Sequence, residues 1–256
     1  ELADKLAAMV PVPDARLFFS NSGSEANDSQ IKMLRYYGNA IGKPEKKKII
    51  ALDRGYHGVT VAAASLTGLP VMHSHFDLPV EALGILRADC PHYFRGKVGD
   101  ESEGEFVSRL LKNVEKIIFE EGADTIAAFI AEPLMGAGGV IVPPEGYLPK
   151  VQALLNEHGI LLWADEVICG FGRTGNDFGS TTMGIKPDLM SLAKQLSSAY
   201  IPISAAVIPG EMYEAMVDQS AEVGVFGHGY TYTGHPVACA AALKAFPTSG
   251  LIRSPK

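Results

Sequence analysis

Lys194 stands directly behind Asp188-Leu-Met-Ser-Leu-Ala193, a run apolar enough to be a buried strand. A desolvated amine gives up its proton more readily and becomes a nucleophile for carbonyl carbon. A snorkelling surface lysine fits the same spacing. Asp165 closes a second apolar run, Ile160 to Ala164. A carboxylate there faces the crevice at the strand's carboxyl end, where open α/β sheets take ligands. Burying it without a cationic partner is costly, so it points to such a partner, to a helix cap or to a structural ion pair. Asn21-Ser-Gly-Ser-Glu-Ala-Asn27 lies between a strand and a helix. The first N–H groups of a helix lack intrahelical partners and attract anions. Gly23 lets backbone approach an anion, and Ser22 and Ser24 add hydroxyl donors. The helix dipole supplies only ~0.3–1 kcal/mol, so other donors must help. A plain N-cap with a capping acid accounts for these residues as well. Tyr56-His57-Gly58 follows the strand ending at Leu52, where the aromatic ring either stacks on a flat ligand or belongs to a simple turn. Tyr230-Thr-Tyr-Thr-Gly-His-Pro236 is a polar loop ahead of a helix, able to lend a hydroxyl to an anion or merely to start that helix.

Together these residues offer an amine for an aldehyde, a carboxylate for a ring nitrogen, an aromatic face and a cup for a phosphate. That is the set of partners pyridoxal phosphate requires.

The elements that must position them alternate. Arg16–Ser20, Lys48–Leu52, Ile126–Ala131, Ile160–Ala164, Leu189–Ala193 and Ala205–Ile208 read as short buried strands. Gly23–Ile41, Glu105–Glu121, Gly146–His158, Glu211–Val217 and Val237–Ala245 read as helices. In Glu105–Glu121, Phe106, Leu110, Val114 and Ile117 or Ile118 recur at spacings of three and four. Strand–helix–strand repetition predicts an α/β domain, its sheet mainly parallel and flanked by helices.

Composition narrows the rest. Of the 256 residues, 47% are hydrophobic, enough for a sizeable core and incompatible with disorder. Twenty-two basic against 29 acidic residues leave a net charge of −7. Lys46-Lys47-Lys48 is the longest basic run, which argues against a nucleic-acid binder. Three scattered cysteines (Cys90, Cys169, Cys239) read as free thiols in a reducing compartment, taken as the cytoplasm. The most apolar stretch, Thr125 to Val142, is broken by Glu132, Pro133 and three glycines, which argues against a membrane span. His73 and His75, two histidines at i and i+2, read as surface residues, and no metal is expected. Gly136-Ala-Gly-Gly139 lacks the spaced glycines of a dinucleotide fingerprint.

Asp165-Glu-Val-Ile-Cys-Gly-Phe-Gly-Arg-Thr-Gly175, Lys186-Pro-Asp188 and Lys194, with Asn21–Asn27, Tyr56-His57-Gly58 and Ala131-Glu-Pro133, resemble the class III, omega-type, pyridoxal-phosphate aminotransferases of fold type I. The likeness is strongest to pyruvate-dependent gamma-aminobutyrate and other omega-amino-acid transaminases. It implies the following roles. Lys194 would bind the cofactor aldehyde and shuttle the substrate proton. Asp165 would keep the pyridine nitrogen protonated. Val167 and Tyr56 would cover the two ring faces. Gly23 and Ser24 would bind the phosphate, and Thr231 would reach the phosphate of the neighbouring subunit in a homodimer. The reaction would be ping-pong transfer of an amino group from an omega-amino acid or amine to a keto acid. Aminomutase or decarboxylase chemistry on the same site, or an inactive truncated remnant, are the alternatives.

Two positions depart from the family. Ala137 stands where members that use 2-oxoglutarate often carry a gating glutamate, which favours pyruvate or glyoxylate as acceptor. Gln195 replaces the small residue usual after the lysine. The resemblance makes 1–246 a cofactor-binding large domain, incomplete at both ends, and leaves 247–256 as an atypical tail, with a truncated or frame-shifted product as one origin.

Overall fold

Ile126–Ala131 is buried at every position, as a strand covered on both faces must be. It is one of seven strands in the computed structural model, which describes residues 1–245: β1 (Arg16–Ser20), β2 (Lys48–Leu52), β3 (Ile85–Ala88), β4 (Ile126–Ala131), β5 (Leu161–Asp165), β6 (Leu189–Leu192) and β7 (Ser204–Ile208). They form one sheet in the order β1-β7-β6-β5-β4-β2-β3. Pairings from β6 through β3 are parallel, while β7 runs antiparallel to both β6 and β1. The expected mainly parallel sheet is therefore present, with the reversal confined to one end. The helices are α1 (Leu2–Ala7), α2 (Gly23–Ala40), α3 (Val61–Leu66), α4 (Tyr93–Gly96), α5 (Glu103–Glu121), α6 (Tyr147–Glu157), α7 (Gly179–Thr182), α8 (Gly210–Val223) and α9 (Pro236–Ala245).

The period of two in β2 divides the core. Ile49 and Ala51 pack with Ile31, Met33 and Leu34 of α2 and Met212 and Met216 of α8. Ile50 and Leu52 point the other way, toward Phe106, Leu110 and Val114 of α5 and Val151 and Leu155 of α6. A third cluster joins Leu2 and Leu6 of α1 and Ala238 and Ala242 of α9 to Leu192, Leu196 and Val207. Gln30, fully buried in α2, donates from Nε2 to the carbonyls of Met190 (3.0 Å) and Val207 (2.9 Å). This pins α2 against β6 and β7 at a fixed rotation, which sets where its N-terminus ends.

β3 was not expected from the sequence. Arg87 interrupts its apolar pattern, and its guanidinium instead donates to the carbonyls of Ser65, Leu66 and Thr67 where α3 ends. The helices α3, α4 and α7 span only four to six residues, too few for helical periodicity to show. Among the described residues no helix is long and apolar enough to cross a membrane. The tail 247–256 lies outside the described residues.

Candidate active site

The carboxyl ends of the parallel strands open into a cavity of about 400 Å³. Gly23 and Ser24 at the start of α2, Tyr56 after β2, Asp165 and Val167 at the end of β5, and Lys194 after β6 all line it. Six of the seven predicted positions thus meet in one place. Thr231 is exposed and does not line this cavity.

Ser22 is the N-cap of α2 and accepts from the Glu25 N–H (3.2 Å). Glu25 Oε2 in turn accepts from the Asn21 N–H (2.7 Å). The plain-cap reading is therefore correct, and it is compatible with anion binding because the first-turn N–H groups still lack intrahelical partners. Ser24 Oγ accepts from the Val59 N–H (3.0 Å), which leaves its hydroxyl hydrogen to give. Gly23 faces Val167: a Cβ there would lie 3.1 Å from both valine methyls.

Asp165 is 3% exposed and has three hydrogen-bond partners, fewer than the roughly four a carboxylate can accept. Oδ2 accepts from Asn27 Nδ2 (3.0 Å) and lies 2.8 Å from His57 Nδ1, while Oδ1 accepts from the Val167 N–H (3.1 Å). Asn27 Nδ2 also donates to the His57 carbonyl (2.6 Å). The first turns of α2 therefore supply both Gly23 and Ser24 of the cavity wall and a donor to the buried carboxylate. His57 is buried, with Nε2 lacking a hydrogen-bond partner.

Two further buried acids flank this group. Glu132 closes β4 and accepts from the N–H groups of Tyr56 (2.9 Å) and Gly136 (2.9 Å). Burial raises its carboxyl above the ordinary range, the Asp165 charge adds to this, and His57 and the two N–H donors only partly offset it. Glu166, completely buried, accepts from the N–H groups of Gly179 (2.9 Å) and Ser180 (2.6 Å), anchoring α7. Burial raises its carboxyl too. Asn27 and Glu132 are site residues that the sequence reading misses. Glu132 carries the signal that singles out Asp165, an acid closing a buried strand.

Of the two readings of Lys194, the structure has the exposed one. It lines the cavity but is exposed, not desolvated, because it stands at the mouth where the chain leaves β6. Its backbone is left-handed (φ 44°), as are Ser198 (φ 50°) and Ala199 (φ 62°). Each such non-glycine residue costs roughly 1–2 kcal/mol, so the turn after β6 is held in place against strain. Gln195 donates to Ser198 Oγ (3.4 Å) across this turn.

The glycine-rich loop grips protein, not ligand. Gly138 abuts Arg54 so closely that a Cβ would lie 2.3 Å from the Arg54 carbonyl, and Arg54 Nη2 donates back to the Gly138 carbonyl (2.6 Å). His73 Nε2 contacts the Ala64 carbonyl (2.9 Å), and among the described residues no three His, Cys, Asp or Glu side chains cluster to hold a metal.

The family model for class-III aminotransferases matches residues 1–249. Gamma-aminobutyrate transaminase 1, mitochondrial, from Oryza sativa subsp. indica is 54% identical over 246 residues, covering 96% of this chain and 47% of the relative. Gamma aminobutyrate transaminase 3, chloroplastic, from Solanum lycopersicum is 56% identical over 230 residues, covering 90% and 44%. The crystal structure of the omega transaminase from Pseudomonas jessenii in complex with PMP superposes with a TM-score of 0.93 at 56% identity, covering 95% of this chain and 53% of that one. The chain spans about half the length of the curated relatives it matches.

Proposed function

The chain belongs to the class III aminotransferases, and from that premise we propose that it binds pyridoxal phosphate and serves transfer of an amino group from an omega-amino acid or amine to a keto acid. The observation that carries this reading is the convergence of Gly23, Ser24, Tyr56, Asp165, Val167 and Lys194 on one cavity.

The residues fit the cofactor. The α2 N-terminus with the Ser24 hydroxyl suits a phosphate. Gly23 clears space that a side chain would fill against Val167. A buried carboxylate held by Asn27, His57 and the Val167 N–H suits a protonated ring nitrogen. When bound, pyridoxal phosphate supplies an aldehyde and an electron-withdrawing ring. Lys194 Nζ is the amine for that aldehyde and moves the proton of the donor carbon, a task worth ~10²–10⁴-fold for a positioned base. Tyr56 and Val167 orient the ring. Glu132 fixes the backbone of Tyr56 and so its ring. We place Thr231 at the phosphate of a neighbouring subunit in a homodimer, with 1–246 as the cofactor-binding large domain. The two half-reactions alternate on one site. Ala137, where a gating acid would otherwise stand, favours pyruvate or glyoxylate as acceptor. The relatives named mitochondrial or chloroplastic favour an organelle over the cytoplasm.

Titration of the protein with pyridoxal phosphate tests the reading. We expect a visible absorbance band and tight binding, both lost in Lys194→Ala with the fold retained, since an exposed side chain contributes within about 0.5 kcal/mol. A variant whose spectrum matches the native protein overturns it. A faster half-reaction with 2-oxoglutarate than with pyruvate in the full-length enzyme overturns the acceptor assignment.

A further inference from the structure

Segment 224–235, which carries Thr231, meets α2 through His228, through Tyr230 and through Phe226, whose ring lies edge-on to Tyr36 at 5.2 Å. His228 Nδ1 lies 3.0 Å from Lys32 Nζ, and its Nε2 lies 2.9 Å from Ser29 Oγ. Ser29 Oγ donates to the Glu25 carbonyl (2.7 Å), and Tyr230 Oη donates to the same carbonyl (3.2 Å). The His228 ring stacks on Phe18 of β1 at 5.0 Å and meets the edges of Phe226 and Tyr230.

For the imidazole the proton inventory admits one arrangement. A lysine ammonium only donates, so Nδ1 must accept. The hydrogen then sits on Nε2 and points at Ser29 Oγ, whose own hydrogen goes to the Glu25 carbonyl. Every bond in the chain is made when the ring is neutral. A second proton on Nδ1 would face the Lys32 ammonium and break the chain at its first link.

We propose that His228 is a positioning residue: in its neutral form it clamps segment 224–235 onto α2 and thereby fixes where Thr231 stands. This rests on the reading of Thr231 as a ligand of the neighbouring subunit's phosphate. The clamp ends at Glu25, in the first turn of the helix whose Gly23 and Ser24 form the anion cup, so one helix end registers both contributions.

The ionisable groups facing His228 are Lys32 on α2 and Tyr230 on its own segment, with Asp28 and Glu25 of α2 behind Tyr230. From β1 it meets the uncharged ring of Phe18. Burial lowers the imidazole below its ordinary value of about 6.5, and Lys32 lowers it further. The clamped segment therefore binds fewer protons than the released one. The clamp is at full strength above about pH 6.5 and weakens as pH falls below it.

Hydrogen–deuterium exchange of the protein at pH 7.5 and 5.5, corrected for intrinsic rates, tests this. Protection of 224–235 should fall at the lower pH, with about tenfold as the ceiling that one titrating group sets over this range, while that of α2 holds. His228→Gln, whose amide can accept from Lys32 and donate to Ser29 without titrating, should keep equal protection at both values. Unchanged protection in the native protein, or an equal fall in His228→Gln, overturns the clamp. At pH 7.5, His228→Ala and Thr231→Ala should each weaken pyridoxal phosphate binding about tenfold, and the double variant no further. If Thr231→Ala weakens binding and His228→Ala does not, the clamp is wrong. If the exchange results hold and Thr231→Ala leaves binding unchanged, the Thr231 assignment falls and the clamp stands.

Discussion

His57 Nδ1 and Asp165 Oδ2 lie 2.8 Å apart, with side chains only 1% and 3% exposed. A carboxylate so far from water must be neutralised by neighbours, and Asp165 has three: His57, Asn27 and the Val167 N–H. Each comes from a different element, so the acid that faces the cavity is a joint of the loop after β2, the first turns of α2 and the end of β5. His57→Phe removes the donor and keeps an aromatic ring, although a bulkier one. Breaking a buried pair costs about 3–5 kcal/mol, and the two remaining donors place this case near 3. Urea unfolding should show that loss, together with weaker pyridoxal phosphate binding. A loss under about 1 kcal/mol would mean that Asn27 and Val167 suffice to hold Asp165.

The contact between the Tyr56 loop and the start of α2 passes through Gly58. Its φ is +135°, and a Cβ there would sit 2.5 Å from Ser24 Oγ, 2.8 Å from Ala63 Cβ and 3.0 Å from Ser24 Cα. Gly58→Ala is thus wrong in conformation and in space, and should cost about 2–4 kcal/mol. It should also lower affinity for phosphate-bearing ligands, because Ser24 must move. Gly104 on α5 has open space within 4 Å of where a methyl would stand and an ordinary helical backbone, so Gly104→Ala should instead stabilise by about 0.5 kcal/mol. Melting temperatures of the two variants should move in opposite directions.

Much of this was legible in the sequence. Apolar runs closed by Asp165 and Lys194 gave away the strand ends, because a buried strand tolerates a polar residue only where it leaves the core. Burial at all six positions of β4 follows from its composition. What escaped was whatever depends on a long-range partner. Asn27 looks like any polar helix residue until Asp165 and the His57 carbonyl are placed against it. Arg87 hides β3 because its partners are carbonyls at the end of α3. The exposure of Lys194 depends on what covers the cavity mouth, which local pattern does not encode.

Glu132 ties β4 to the Tyr56 backbone, and its ionisation should be visible in stability. Burial raises its carboxyl above the unfolded value of about 4.3. Between that value and the raised one, the native protein holds a proton that the unfolded chain has released. Stability then falls as pH rises through the window, at up to about 1.4 kcal/mol per pH unit. Glu132→Gln cannot titrate, and Glu166 and His228 are common to both proteins, so their contributions cancel in the comparison. The native protein's stability relative to the variant should therefore be greater at pH 5 than at pH 8, read from urea midpoints converted with a common slope. A difference that grows toward pH 8 would mean that His57 and the N–H groups of Tyr56 and Gly136 outweigh burial, and that Glu132 carries its charge as a net stabilising acceptor.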